Sequence, residues 1–394
     1  MTNGTEHVRT LIVGGGQAGL SVGYHLARHS QEFLILDENQ RVGDQWRHAA
    51  WDSMRLFSPA KYDGLPGLPY PGPRYAFPTR DEYADYLTDY AERFALPIRP
   101  GVSVDGLRRE DDRFLVTAND LRFEADQVVV AIGPHHVPST PPIARQLDPR
   151  IRQLHSSQYR NPGQLRPGPV LVVGASHSGA DIALELAATH PTLLCGRYHG
   201  QLPFRPGSWP SRPVLPVQWF VFRHVLTVRT PPGRLMRKAV RSHGAPLLRV
   251  RKSDLAVAGV ERMLDRVTGV QEGLPVLGDS RMVETANVIW CTGFRQDYDW
   301  IRLPVTDAEG YPVQTRGVSP EPGLYFAGVP FQYSFASMLI GGIDRDTEYV
   351  ARHIATRAAL ASATPGRRTS PQLASGPKGG RIARPESTPE STSP

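Results

Sequence analysis

The chain has 394 residues, 40% apolar and 21% charged, the balance of a globular protein of two or more domains and not of a coiled coil, a collagen or a disordered chain. Its net charge of +7 comes with only two cysteines, Cys195 and Cys291, so a disulfide scaffold, a four-cysteine zinc site and a CxxC dithiol relay are excluded. Met1 to Thr10 is polar and no apolar run approaches the ~18 residues of a membrane span, so neither a signal peptide nor a span is read and the expected compartment is the cytoplasm.

In chain order, Thr10 to Val13 is an apolar run suited to a buried parallel strand. Gly14-Gly-Gly-Gln-Ala-Gly19 comes next, then a helical pattern from Leu20 to His29 and a second strand, Phe33 to Asp37. That is a βαβ unit. Thr79-Arg-Asp-Glu82 reads as a capping box opening a helix that runs to about Phe94. Arg113 to Ala125 reads as a hairpin turning at Asn119-Asp120, and Gln127 to Ala131 as an apolar strand closing on Gly133.

A second βαβ unit begins at Pro169: strand Val170 to Val173, loop Gly174-Ala-Ser-His-Ser-Gly179, a helix through Leu186, and strand Thr192 to Gly196. Val288 to Gly293 and Leu324 to Gly328 are further strands ending on glycine, and Asp344 to Leu360 is a final helix. Residues 361–394 are rich in Gly, Pro, Ser and Thr without an aromatic, and are expected to form a disordered tail.

The two loops point to nucleotide chemistry. A glycine loop between strand and helix presents unpaired N–H groups and the positive end of the helix dipole to a pyrophosphate. Gly14, Gly16 and Gly19 satisfy that pattern; Gly174, Ser176 and Gly179 satisfy it with a serine in the middle place. The strand ends then separate the ligands. Asp37 offers a carboxylate to a ribose diol and repels a 2′-phosphate, so the first site reads as FAD or NAD. Arg197, at the equivalent step of the second unit, fits a 2′-phosphate, so the second reads as NADP. Two such sites imply a flavin taking electrons from a nicotinamide, with the chemistry carried by the cofactor. No hydrolytic triad or metal-ligand spacing is recognisable, and no protein catalytic residue and no metal are expected.

The glycine loops, together with Val42-Gly-Asp-Gln-Trp-Arg47, Trp51 to Pro59, Ala131-Ile-Gly133, His155 to Arg160 and Cys291-Thr-Gly293, resemble the flavin-containing monooxygenases, in their short bacterial branch of flavin-dependent NADPH oxidoreductases. Of the family motif FxGxxxHxxxY, His155 and Tyr159 match, while Pro149 and Ile151 replace the Phe and Gly; the Asn beside the flavin has no counterpart near Phe57-Ser58-Pro59. The resemblance implies an α/β fold of two dinucleotide-binding, Rossmann-like domains in a glutathione-reductase-like flavoprotein architecture. FAD-domain residues 1–148 and 286–360 would flank an inserted NADPH domain, 149–285. It further implies cofactor contacts at Gln17, Ala18, Glu38, Gln45, Trp46 and Val104. Gly133, Thr292, Gly293, Gly328, Gln332, Tyr159 and Ser178 are implied on the same grounds, as is His155, read as a hinge or cofactor contact over a plain hydrogen-bonded histidine at a domain junction.

The activity implied is reduction of FAD by NADPH, addition of O2 at flavin C4a and oxygenation of a small nitrogen, sulfur or carbonyl substrate, without nucleic acid. Two alternatives stay open: an NADPH-dependent reductase or oxidase using the same cofactors, and a non-catalytic flavin-binding protein. His177 is expected to face solvent at a helix start. Residues 186–253 hold twelve Lys/Arg and no Asp or Glu. Within them Val217-Gln-Trp-Phe-Val-Phe222 is expected as a buried element of the NADPH domain, the sharper alternatives being a substrate entrance or a patch on anionic lipid.

Overall fold

The computed structural model describes residues 4–242, 244 and 246–363. In chain order the first unit holds β1 (Glu6–Val13), α1 (Gln17–Arg28), β2 (Leu34–Leu36), α2 (Asp44–His48), α3 (Arg80–Arg93), β3 (Ile98–Arg99), β4 (Val104–Glu110), β5 (Arg113–Ala118) and β6 (Leu121–Val130). The chain then crosses through β7 (Val137–Pro138) into β8 (Arg152–His155), β9 (Val170–Val173), α4 (His177–Leu186) and β10 (Thr192–Cys195). Three helices come after it, α5 (Val214–Phe220), α6 (Pro231–Ser242) and α7 (Lys252–Val257), then β11 (Glu261–Met263), the hairpin β12 (Val267–Gln271) and β13 (Leu274–Leu277), and β14 (Asn287–Trp290). The return is by β15 (Phe294–Arg295) to β16 (Leu324–Phe326) and α8 (Asp344–Ala363).

β1, fully apolar over its last three residues and buried there, pairs in parallel with β2 on one edge and β6 on the other. β3 and β16 extend the parallel sheet at its two sides, while β4 and β5 run antiparallel off β6. β6 is long because it serves both sets: Leu121 to Ala125 pairs with β5, and Val128 to Val130 with β16. The hairpin arm and the strand read separately at Ala125 and Gln127 are therefore one strand. The turn falls at Asn119 and Asp120, with Asn119 at φ +52°.

The second sheet is wholly parallel, in the order β11-β10-β9-β14-β8. β14 lies within it, between β9 and β8, although it comes after residue 285 in the chain. A four-residue buried strand, Asn-Val-Ile-Trp, suits either sheet, and only pairing decides which one receives it. β7 and β15, the two crossing segments, pair antiparallel with each other.

In each sheet the strand ends line up. Leu36, Val13, Val130 and Phe326 share one level, and so do Cys195, Val173, Trp290 and His155. The connection after each of these strands therefore leaves at one carboxyl edge, where open α/β sheets bind ligands. α8 packs on α1, where the Ser21 and Thr347 hydroxyls lie 2.6 Å apart, and extends three residues past the expected end; the rest of the expected tail lies outside the described residues. Among the described residues no helix is long and apolar enough to cross a membrane.

Candidate functional site

The two glycine loops have the same geometry. Gly14 and Gly174 stand at φ +107° and +109°, and a Cβ on them would fall 2.6 Å from the Ala131 carbonyl oxygen and 2.2 Å from that of Cys291. A Cβ on Gly19 or Gly179 would come within 1.9 or 1.7 Å of the Gly14 or Gly174 carbonyl. These four glycines are required by backbone packing. Gly16 is different. Its φ of −76° suits any residue, and a Cβ there would meet no protein atom within 4 Å. Ser176 holds the same place with φ −86°. The space in front of Gly16 is a cradle that a side chain would fill, so the residue suits a ligand and is not demanded by the fold.

Neither α1 nor α4 has a capping side-chain hydrogen bond or an acid in its first turn. α3 shows the contrast: Thr79 and Glu82 cap it reciprocally, as the sequence pattern foretells. Helix starts without a side-chain cap or a first-turn acid suit an anion, and the donor set fits a dinucleotide pyrophosphate at both.

At the end of β2 the Asp37 carboxylate is buried and accepts from Gly15 N–H (2.6 Å), Asn39 N–H (2.8 Å) and Asn39 Nδ2 (2.9 Å). A carboxylate has about four acceptor positions, so it keeps capacity for a ribose hydroxyl. Glu38 beside it is partly exposed, its Oε1 4.0 Å from His136 Nδ1. Arg197 is exposed after Gly196 and makes no ion pair among the described residues. Its turn is held by Arg262, whose guanidinium donates to the Leu194 and Gly196 carbonyls and lies 4.1 Å over the Tyr198 ring.

The remaining expected contacts fall in several places. Gln17, Ala18 and Ser178 lie in the first turns of α1 and α4. Gln45 is exposed on α2, and Trp46 meets Tyr83 edge-on at 5.0 Å. Val104 opens β4 opposite Ala118. Gly133 and Gly293, φ +72° and +79°, face open space at the two crossings. Thr292 Oγ1 donates to the Ser139 carbonyl. Gly328 approaches α1 so closely that a Cβ would sit 2.8 Å from that of Ala18. Gln332 is buried against Gly317 with neither amide atom bonded.

His155 Nε2 lies 3.0 Å from the Gly293 carbonyl, and its ring meets Phe294 edge-on. Tyr159 is wholly buried; its hydroxyl donates to Glu185 on α4 (2.7 Å), and burial first, then that carboxylate, push its pKa up. Cys291 packs against the Gly174 loop, and burial raises both thiols, that of Cys195 to about 11.

His177 departs from expectation. It does not face solvent: its ring packs on Phe57 at 4.6 Å, Nε2 is buried without a partner, and burial lowers its pKa to about 4. Phe57 covers it, at the start of a loop that runs on to Asp63. The same loop carries a titratable group the sequence did not reveal. Asp63 is wholly buried, accepts from the Ser58 hydroxyl, and has Oδ2 unpartnered. Burial raises its pKa to about 8. The hydroxyls of Tyr62 and Tyr83 are also buried and unbonded. A single Asp in a Gly/Pro-rich loop carries no periodic signal of burial. Among the described residues no group of three or more His, Cys, Asp or Glu could hold a metal ion.

Two sheets, one mixed and one wholly parallel, each with an uncapped glycine-loop helix at the carboxyl edge of its parallel strands, make a Rossmann-like architecture of two dinucleotide-binding units. The pyridine nucleotide-disulphide oxidoreductase model matches residues 11–195. A CzcO-like oxidoreductase of Geobacillus kaustophilus (strain HTA426) is 38% identical over 348 residues, 88% of this chain and 98% of its own. The indole-3-pyruvate monooxygenase YUCCA8 of Oryza sativa subsp. indica is 29% identical over 205 residues, 49% of this chain and 46% of its own. Among solved structures, the flavin-containing monooxygenase from Stenotrophomonas maltophilia superposes with a TM-score of 0.71 at 25% identity, over 90% of this chain and all of the other. The chain belongs to the CzcO-like oxidoreductases and is an enzyme of the flavin-dependent oxidoreductase and monooxygenase family.

Proposed function

We propose that the enzyme is an FAD- and NADPH-dependent monooxygenase of small nitrogen-, sulfur- or carbonyl-containing substrates. The observation that carries the reading is the pair of matched, uncapped helix starts that differ at one strand end, Asp37 in the first and Arg197 in the second. When bound, FAD supplies two-electron chemistry between NADPH, O2 and substrate.

The chain's own residues bind and orient. The first-turn N–H groups of α1 hold the FAD pyrophosphate across Gly16, and Asp37 accepts from the adenosine ribose. The α4 start holds the NADPH pyrophosphate, while Arg197, steadied by Arg262, clamps the 2′-phosphate. Phe57 packs on His177 at the start of α4, so the imidazole beside the second loop is shielded by a ring, and burial holds it neutral.

The test is stopped-flow absorbance of the anaerobically NADPH-reduced enzyme mixed with oxygenated buffer, with amines, sulfides and ketones in turn. A transient distinct from both reduced and oxidised flavin, whose decay a substrate accelerates with oxygen incorporated into product, supports the reading. Direct return to oxidised flavin with one peroxide per NADPH under every substrate makes the enzyme an oxidase. Bleaching by NADH and not NADPH overturns the role of Arg197.

A further inference from the structure

The α5 segment does not form the buried element expected of it. Twelve large apolar side chains stand exposed among the described residues, and six of them fall between Trp209 and Leu235: Trp209, Val214, Val217, Phe220, Val225 and Leu235. On α5 the residues Val214, Val217 and Phe220 recur every third position and form one outward stripe, with Val217 63% and Phe220 58% exposed. The opposite side of the helix is satisfied. Leu215 is buried, and Trp219 stacks on Tyr62 with centroids 4.7 Å apart. The helix is thus apolar on both sides but covered on one.

Arginines bracket the stripe. Arg212 precedes α5, Arg223 comes after it, and Arg229 and Arg234 lead into α6; none of the four has an acid within ion-pair distance among the described residues. No Asp or Glu occurs from 186 to 253 to neutralise them. Arg223 is felt by Asp344 and Asp346 on α8, whereas Arg212 and Arg229 lie over the Tyr75 and Tyr333 rings. Scattered exposed apolar residues need no explanation, but a cluster flanked in the chain by arginines without ion pairs marks an interaction surface.

We propose that the α5 face docks on an anionic membrane surface. The protruding Val217 and Phe220 enter the headgroup–acyl boundary, and the flanking arginines reach back to lipid phosphates along their own alkyl stems. A second copy of the chain is disfavoured as occupant, because a two-fold contact would set this cationic face against itself.

The full-length holoenzyme is sedimented with vesicles of phosphatidylcholine alone and with vesicles containing roughly one-third phosphatidylglycerol. Selective recovery with the anionic vesicles, weakened by high salt, is expected. V217S/F220S should weaken it at least tenfold and R212Q/R234Q by roughly fivefold or more, with vesicle-free NADPH oxidation unchanged. Equal recovery with both vesicles, or binding unchanged in V217S/F220S, overturns the proposal, the latter assigning attraction to charge elsewhere. Vesicle-independent dimers abolished by V217S/F220S would make the face a self-interface, and binding to polyglutamate but not to vesicles would make it a site for an acidic protein; either overturns it.

Discussion

His155 on β8 reaches across the junction between the two sheets to the carbonyl of Gly293, 3.0 Å from its Nε2. Its Nδ1 accepts the Ser157 backbone N–H (3.2 Å), which leaves the proton on Nε2 and makes that nitrogen the donor to Gly293. The strand that closes the second sheet is thereby tied to the segment that returns to the first. Burial lowers the pKa of this imidazole, so the folded state resists the proton that the unfolded chain accepts near pH 6.5.

Replacing His155 by Phe keeps a ring beside Phe294 but strands the Gly293 carbonyl and the Ser157 N–H. A loss of about 1–3 kcal/mol in urea unfolding at pH 7.5 is expected. The wild type should lose stability as pH falls below about 6.5, and H155F should lose less over that range.

Gly16 and Gly19 should respond oppositely to the same methyl group. At Gly16 the added Cβ meets no protein atom, so G16A should leave the melting temperature of the apoprotein unchanged or slightly higher, while FAD affinity drops at least tenfold by roughly the cost of one displaced contact. At Gly19 the Cβ falls on the Gly14 carbonyl, so G19A should destabilise the apoprotein itself. Thermal melts with and without added FAD separate the two effects.

Arg197 is exposed and without an ion pair among the described residues, so its replacement costs the fold little. R197A should lower kcat/KM for NADPH roughly 10–100-fold and leave NADH nearly unaffected; R197D should reverse the preference. Steady-state rates of NADPH and NADH oxidation decide it. Equal loss with both coenzymes would remove the 2′-phosphate from this position.

Asp63 gives the opposite pH signature to His155. Its folded pKa of about 8 lies above the unfolded value near 4, so between those limits the folded state holds a proton the unfolded chain has lost. Stability should therefore fall as pH rises from 4 to 8, by up to about 1.4 kcal/mol per pH unit for one proton. D63N should flatten that slope and retain the Ser58 hydrogen bond. Denaturant melts at pH 5, 6.5 and 8 measure it.

Elements with local signals were legible. The Thr79–Glu82 box opens α3 where expected because both partners of the cap lie within one turn. The Asn119-Asp120 turn is legible because few residues tolerate positive φ. The glycine loops were legible as well, since each sits between a strand and a helix of its own short βαβ unit, although the carbonyls that Gly14 and Gly174 approach, those of Ala131 and Cys291, belong to distant strands. His177, Asp63 and α5 were not. Whether His177 faces water depends on Phe57, 120 positions away in the chain, folding across it. Val217 to Phe222 has the composition of a core helix, and only the absence of a covering element among the described residues leaves one side of it bare.

By itself the sequence determined the two nucleotide-binding units and the acid-versus-base distinction at their strand ends, because those rest on short-range geometry and on charge at fixed spacing. Tertiary structure alone decided which sheet receives β14, that His155 spans the junction, and which titratable groups lose contact with water. Such facts depend on pairing and burial between segments far apart in the chain, where every apolar strand or lone polar residue reads alike until its neighbours are in place.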